Sequence, residues 1–228
     1  MGVHPILDNV LWNAFSGAQT PFTVGVGSVR RYAPGFSAIV ALQDPANLEF
    51  DSLKSYVEVG EKFYCDQWTG EAPEGWSVEA ETTMFKMVWE GEIPEPVDHE
   101  GMIELGPEHA ERALELAILT NPGPFGLRTI ELGDYYGYFD GDRLIAMSGE
   151  RMFAPPYREV SGVCTHPDYQ GRGLAKKLML RLIRQSMTRG EIPFLHVLSH
   201  NDVARGMYKR MGFREYLETV VRVIQRTI

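Results

Sequence analysis

The chain has 228 residues, 22 Lys and Arg against 31 Asp and Glu, and a formal net charge of -9. An acidic balance argues against a general nucleic-acid binder, which shows a basic footprint. Hydrophobic content of 44% supports a filled core of one large domain or two small ones. The two cysteines, Cys65 and Cys164, supply neither a disulfide framework nor a structural zinc site.

Met1 to Val10 shows no basic region leading into an apolar run, so no signal peptide is expected. Gly2 is followed by Ile6 where a myristoylation motif wants Ser or Thr. No apolar run reaches the length of a membrane span. A reducing cytoplasm and no membrane partner are the simplest expectations.

In chain order, Phe22 to Val29 and Phe36 to Leu42 read as strands separated by Pro34-Gly35. Ser52 to Val59 reads as a short helix stopped by Gly60. Lys62 to Trp68 and Trp76 to Trp89 return to strand character. Glu90 to Gly106 is acidic and carries Pro94 and Pro96, which reads as a linker or an extended crossing strand. The expected division is therefore 1–98 and 99–228.

Beyond it the pattern sharpens. Pro107 to Leu119 reads as a helix, broken by Asn121-Pro122-Gly123-Pro124. Asp134 to Phe139 and Arg143 to Ser148 read as a hairpin around Asp140-Gly141, extended by Glu150 to Phe153. Arg158 to Thr165 is the next strand. Leu174 to Arg189 reads as a helix, with Leu174, Leu178, Leu182, Met179, Ile183 and Met187 on one apolar face, ended by Gly190. Phe194 to Leu198 is a strand. Asn201 caps a helix running to Met211 and closed by Gly212. Phe213 to Tyr216 and Thr219 to Gln225 read as two closing strands.

The informative stretch is Gln170-Gly171-Arg172-Gly173-Leu174-Ala175, between a strand and an amphipathic helix. Two glycines permit a tight turn with N–H groups facing a ligand. The helix behind adds the positive end of its macrodipole. Strand, turn and helix start together suit a phosphate or pyrophosphate. The spacing departs from the dinucleotide fingerprint and from the P-loop. The alternative is a glycine turn before an ordinary helix.

The flanks add Glu159 upstream, then Asn201-Asp202-Val203-Ala204-Arg205-Gly206-Met207-Tyr208 and Met211-Gly212-Phe213 downstream. This ensemble resembles the GNAT superfamily of acyl-CoA-dependent N-acetyltransferases over roughly Leu105 to Arg226. It is most similar to the glycine-N-acyltransferase-like branch through Val163-Cys164-Thr165-His166-Pro167-Asp168-Tyr169-Gln170-Gly171-Arg172-Gly173 and Pro193-Phe194-Leu195-His196-Val197. The N-terminal half resembles a degenerate acetyltransferase-like region.

The resemblance implies an α/β fold, a mixed twisted sheet splayed around acyl-CoA, with a smaller N-terminal α/β half. It implies acetyl-CoA as co-substrate, no metal, and a primary amine on a small molecule or peptide as acceptor. Backbone groups of Val163, Cys164 and Thr165 would pair with the pantetheine arm as a pseudo-strand. N–H groups of Gln170, Gly171, Arg172, Gly173, Leu174 and Ala175 would hold the pyrophosphate. Arg172 and Lys176 either meet the outer phosphates or are solvated helix charges. Asn201 and Ala204 belong to the same cofactor-binding block.

The resemblance makes Tyr208 the acid that protonates the departing thiolate, against the alternative of plain core packing. It makes Glu159 the general base, against a salt bridge with Arg158 or a neighbour. His166, His196 and His200 do not complete a metal set, and Cys164 reads as a small buried hydrophobe. Arg128, Tyr135 and Tyr136 either line the acceptor pocket or simply pack. A non-catalytic acyl-CoA sensor and a transferase of another acyl group stay open as alternatives. So do the identity of the amine and the assembly state, a homodimer being common in the family.

Overall fold

The computed structural model describes residues 4–47 and 49–228, so Gly2 lies outside the described residues. The strands are β1 Thr23–Val26, β2 Val29–Tyr32, β3 Ile39–Leu42, β4 Lys62–Asp66, β5 Trp76–Trp89, β6 Met102–Glu104, β7 Tyr135–Asp140, β8 Arg143–Ala154, β9 Tyr157–Thr165, β10 Ile192–Leu198 and β11 Phe213–Arg226. The helices are α1 Pro5–Asp8, α2 Val10–Phe15, α3 Phe50–Leu53, α4 Ala110–Thr120, α5 Leu174–Thr188 and α6 Asp202–Met211. Two compact units share these elements. One takes residues up to Pro34, Ala38–Val88 and His196–Ile228; the other takes Gly35–Ser37 and Trp89–Leu195. The units thus interleave along the chain, whereas the expected division at 98 and 99 runs in chain order.

In the first unit the strands lie in the order β1-β2-β3-β4-β11-β5. Pairs β1–β2, β2–β3 and β4–β11 are antiparallel, and β3–β4 is parallel. Val29, Val40, Leu42, Phe50, Leu53, Phe63, Cys65, Trp68, Trp76 and Ile224 form its buried cluster. A buried ion pair joins β5 to β4: Lys86 Nζ lies 3.0 Å from Asp66 Oδ2, with both side chains nearly inaccessible.

Several boundaries differ from the expectation. The predicted strand Phe22 to Val29 is two strands, because Gly27 and Ser28 form a two-residue turn between Val26 and Val29. The predicted helix Ser52 to Val59 is only α3 followed by a 3-10 turn at Lys54–Tyr56. Phe213 to Gln225 forms one strand rather than two. β5 follows the expected bounds.

In the second unit the order is β6-β7-β8-β9-β10. β6 to β9 pair antiparallel, and β9 with β10 pairs parallel. Helix α4 packs Ala113, Leu116 and Ala117 against Tyr135, Leu144, Met147 and Cys164. Helix α5 buries Leu178, Met179, Leu182 and Ile183, the face expected from its periodicity. Mixed pairing with helices gives the expected α/β class.

The β9–β10 pairing is short. Its register covers Tyr157 with Ile192, Arg158 with Pro193 and Glu159 with Phe194. β9 runs on to Thr165. Beyond Glu159 that edge has no β10 partner in the register among the described residues, an open strand edge of the kind another chain or ligand can pair with.

The closed end of this pair is held by charges. Arg158 Nε and Nη2 donate to Glu191 at 3.1 and 2.8 Å. Arg189 Nη1 pairs with Asp134 at 2.9 Å, and Nη2 reaches both Glu150 and Glu191. Burial pushes the Glu150 carboxyl above its ordinary range, against the pull of Arg189 and Arg158.

Candidate active site

The free edge of β9 leads into the glycine turn. After Thr165, the segment Pro167–Tyr169 makes one 3-10 turn, with His166 Nδ1 accepting from Asp168 N at 3.3 Å. Gly171 and Gly173 both sit at φ +76. An L-residue there costs about 1–2 kcal/mol, so the turn selects glycine for conformation. No atom lies within 4 Å of a Cβ built at either position, so both face open space.

Gly173 is also the N-cap of α5 and offers no side-chain acceptor. The first turn of that helix carries no acidic residue. Its leading N–H groups therefore meet an open approach with the positive helix end behind them, as anion binding requires. Gln170, Gly171, Arg172, Gly173 and Lys176 are exposed, and Leu174 and Ala175 are half-buried. The Arg172 guanidinium stacks over Tyr169 at 4.6 Å and donates to Asp168 O at 3.2 Å. It is thus laid along the loop it belongs to. Lys177, not Lys176, pairs with Asp98, at 3.9 Å.

Along β9, Val163 and Thr165 are half-buried while Cys164 turns into the core against α4. Burial pushes the Cys164 thiol up to about 12, which makes it an inert thiol of the core. Thr165 Oγ1 is buried with no hydrogen-bond partner among the described residues. An orphaned hydroxyl on a free strand edge beside an open phosphate turn fits a ligand with polar atoms along an extended arm.

Two bulges set which side chains face which way. Met147 stands opposite Cys164 and Gly149 opposite Ser161, so Ser148 faces both Gly162 and Val163. Gly162 takes φ +60 there. Further on, Glu150 stands opposite Val160 and Phe153 opposite Arg158, so Arg151 and Met152 share Glu159.

This second bulge decides the environment of Glu159. Arg151 Nε and Nη2 donate to its two oxygens at 3.0 and 2.7 Å. The side chains are 10% and 1% accessible. Glu159 is therefore a buried salt-bridge partner, with Arg151 in the place expected for Arg158. Arg158 lies on the other face with Glu191. The guanidinium fixes the carboxylate in place, while each oxygen keeps a second lone pair beyond the one that accepts from Arg151.

Asn201, Ala204 and Tyr208 sit in the first unit, and Arg128 and Tyr136 in the second. Asn201 Oδ1 accepts from Ala204 N at 3.1 Å and caps α6, so these two residues build the start of that helix. Tyr208 is the buried residue of α6, and its ring meets Phe213 edge-on at 6.1 Å between centroids. Arg128 pairs with Glu131 and covers the Phe36 ring at 4.4 Å. Tyr136 donates to Gln185 Oε1 at 3.0 Å. Both of these read as packing. Arg151 escaped the sequence reading because its partner depends on a bulge, which alternation does not reveal.

The comparisons agree with this architecture. The family model described as FR47-like protein matches residues 135–223. N-alpha-acetyltransferase RimI of Mycobacterium tuberculosis is 30% identical over 112 residues, covering 46% of this chain and 70% of that protein. A crystal structure of a GNAT-family protein from Novosphingobium aromaticivorans superposes with a TM-score of 0.88 at 32% identity, over 99% of this chain and 100% of that one. A GCN5-related N-acetyltransferase from Kribbella flavida, at 15% identity and TM-score 0.60, covers 95% of both chains and shares the fold. The mixed sheet with its helices is the fold of a GNAT-family acetyltransferase. The chain belongs to the GNAT family of acetyltransferases.

Proposed function

We propose that the protein transfers an acetyl group from acetyl-CoA to a primary amine by direct attack. The observation that carries the reading is the free β9 edge running into a turn with two glycines at φ +76 and an uncapped α5. In this reading the pantetheine arm pairs with Val163, Cys164 and Thr165 as an added strand. The pyrophosphate rests on the N–H groups of Gln170 through Ala175, with Arg172 and Lys176 at its rim. Residues 99–228 form the catalytic stretch. Residues 1–98 are read as a degenerate acetyltransferase-like half, and the chain as a member of the glycine-N-acyltransferase-like branch working in the cytoplasm.

The chemistry needs a neutral amine. A lysine-type amine near pKa 10.4 costs about 4–5 kcal/mol to deprotonate at pH 7, and an α-amine near 7.8 costs about 1 kcal/mol. Glu159, fixed in place by Arg151, takes that proton directly or through water. Such a site favours the less basic α-amine. The named activity of the RimI relative, an N-alpha-acetyltransferase, supports the same acceptor class. The amine nitrogen bonds to the thioester carbon, the C–S bond breaks, and the phenol of Tyr208 gives its proton to the thiolate.

The test is thiol release with acetyl-CoA against a panel of α-amines, ε-amines and peptides. Release with α-amines is expected, with Tyr208→Phe slowed at least about tenfold at saturating acetyl-CoA. Turnover within about twofold of the wild type removes Tyr208 from the mechanism. Absence of acetyl-CoA binding by calorimetry removes the whole reading.

A further inference from the structure

Tyr135 is the first residue of β7, and its ring lies across the neighbouring strand. A Cβ built at Gly149 of β8 falls 2.2 to 2.4 Å from three atoms of that ring, so the ring occupies the space a side chain would need. Reaching over β8, the phenol arrives at the Gly162 bulge of β9. A Cβ built at Gly162 would lie 3.2 Å from Tyr135 Cε1, 3.6 Å from its hydroxyl and 3.5 Å from Phe125 Cε2. Two glycines on adjacent strands thus let one tyrosine span from β7 to the free-edged strand.

The hydroxyl at the end of this reach is unused by the described residues. Tyr135 is 1% exposed, and its oxygen is buried with no hydrogen-bond partner among the described residues. A buried hydroxyl left unpaired lowers stability, so its retention in so constrained a position asks for a partner from elsewhere. Burial raises the phenol well above its ordinary range, with Arg151 opposing and Glu159 adding to the rise. The group is therefore a neutral donor, in need of an acceptor oxygen.

We propose that the Tyr135 hydroxyl donates a hydrogen bond to the acyl carbonyl oxygen of the bound thioester. The inference rests on the acetyl-CoA reading above. An arm that pairs with Thr165 and then Val163 comes next to the bulge at Gly162, where the phenol waits. The acceptor amine is not the hydrogen-bond partner, because its lone pair must be directed at carbon. A neutral donor on the carbonyl oxygen also stabilises the negative charge that develops there as the amine adds.

The experiment is calorimetric titration of wild type and Tyr135→Phe with acetyl-CoA, with CoA, and with S-ethyl-CoA, which lacks the carbonyl. The wild type is expected to bind acetyl-CoA more tightly than S-ethyl-CoA, and Tyr135→Phe to lose about threefold to tenfold for acetyl-CoA alone. Its thermal midpoint should equal or exceed that of the wild type, because the lost oxygen had no protein partner. Equal losses for all three ligands, an unchanged acetyl-CoA affinity, or a lowered midpoint would each overturn the assignment. Failure of the wild type to bind any of the three overturns the acetyl-CoA reading itself, which separates the two failures.

Discussion

Glu159→Gln is the sharpest test of the reading that this carboxylate is first a salt-bridge partner. The substitution keeps the shape but removes the negative charge facing Arg151. Glu159 is 1% accessible and Arg151 10%, with two hydrogen bonds of 3.0 and 2.7 Å between them. Breaking such a buried pair from one side costs about 3–5 kcal/mol, because the guanidinium is left uncompensated. Equilibrium urea unfolding at neutral pH, followed by circular dichroism, measures the loss. The companion variant replaces both residues, Arg151→Met with Glu159→Leu, and should recover most of that stability, since no buried charge is then left alone. A residue acting only as a base predicts the reverse pattern, with activity lost and stability kept. Glu159→Gln within about 0.5 kcal/mol of the wild type, the range of an ordinary surface change, would refute the argument.

Gly173→Ala should weaken acetyl-CoA binding about tenfold, since φ +76 costs an L-residue about 1–2 kcal/mol and the turn relaxes away from the ligand; calorimetry with unchanged affinity would show that the turn does not hold the diphosphate. Lys86→Met should destabilise the first unit by about 3–5 kcal/mol by stranding the Asp66 carboxylate, and adding Asp66→Leu should restore most of it. Tryptophan fluorescence reports this unfolding through Trp68 and Trp76 of the same core, and a single variant as stable as the wild type sinks the idea. For Glu191, burial raises the carboxyl but Arg158 and Arg189 outweigh it and hold it below its ordinary 4.5. A depressed folded value means stabilisation present above 4.5 and lost as pH falls through the lower folded value. Glu191→Gln should therefore flatten the acid limb of stability against pH; identical limbs would exclude the contribution.

What could be read from the sequence followed from features that act locally. The α5 face repeats at helical spacing, the hairpin expected around Asp140-Gly141 is present with its turn one residue on at Gly141-Asp142, and Asn201 is a cap by residue type. The split of Phe22 to Val29 was hidden because apolar residues continue through Gly27-Ser28. Helices α1 and α2 were not foreseen, being too short for a periodic signal. At the site, the glycine turn was legible because φ demands glycine. The Arg151–Glu159 pair was not, because an extra residue in β8 reverses its alternation, and Tyr135 drew notice only as an aromatic among aromatics. Its unusual reach depends on Gly149 and Gly162, which lie on the two following strands.

The ion cluster at Arg158, Glu191, Arg189 and Glu150 has a mechanical meaning. It clasps β9 to β10 at the start of their three-residue pairing. A fork fastened at its crotch can flex only at the tines. A molecule wedged along the open tine of β9 would push against that charged rivet, so loosening the rivet should change how firmly the molecule is held.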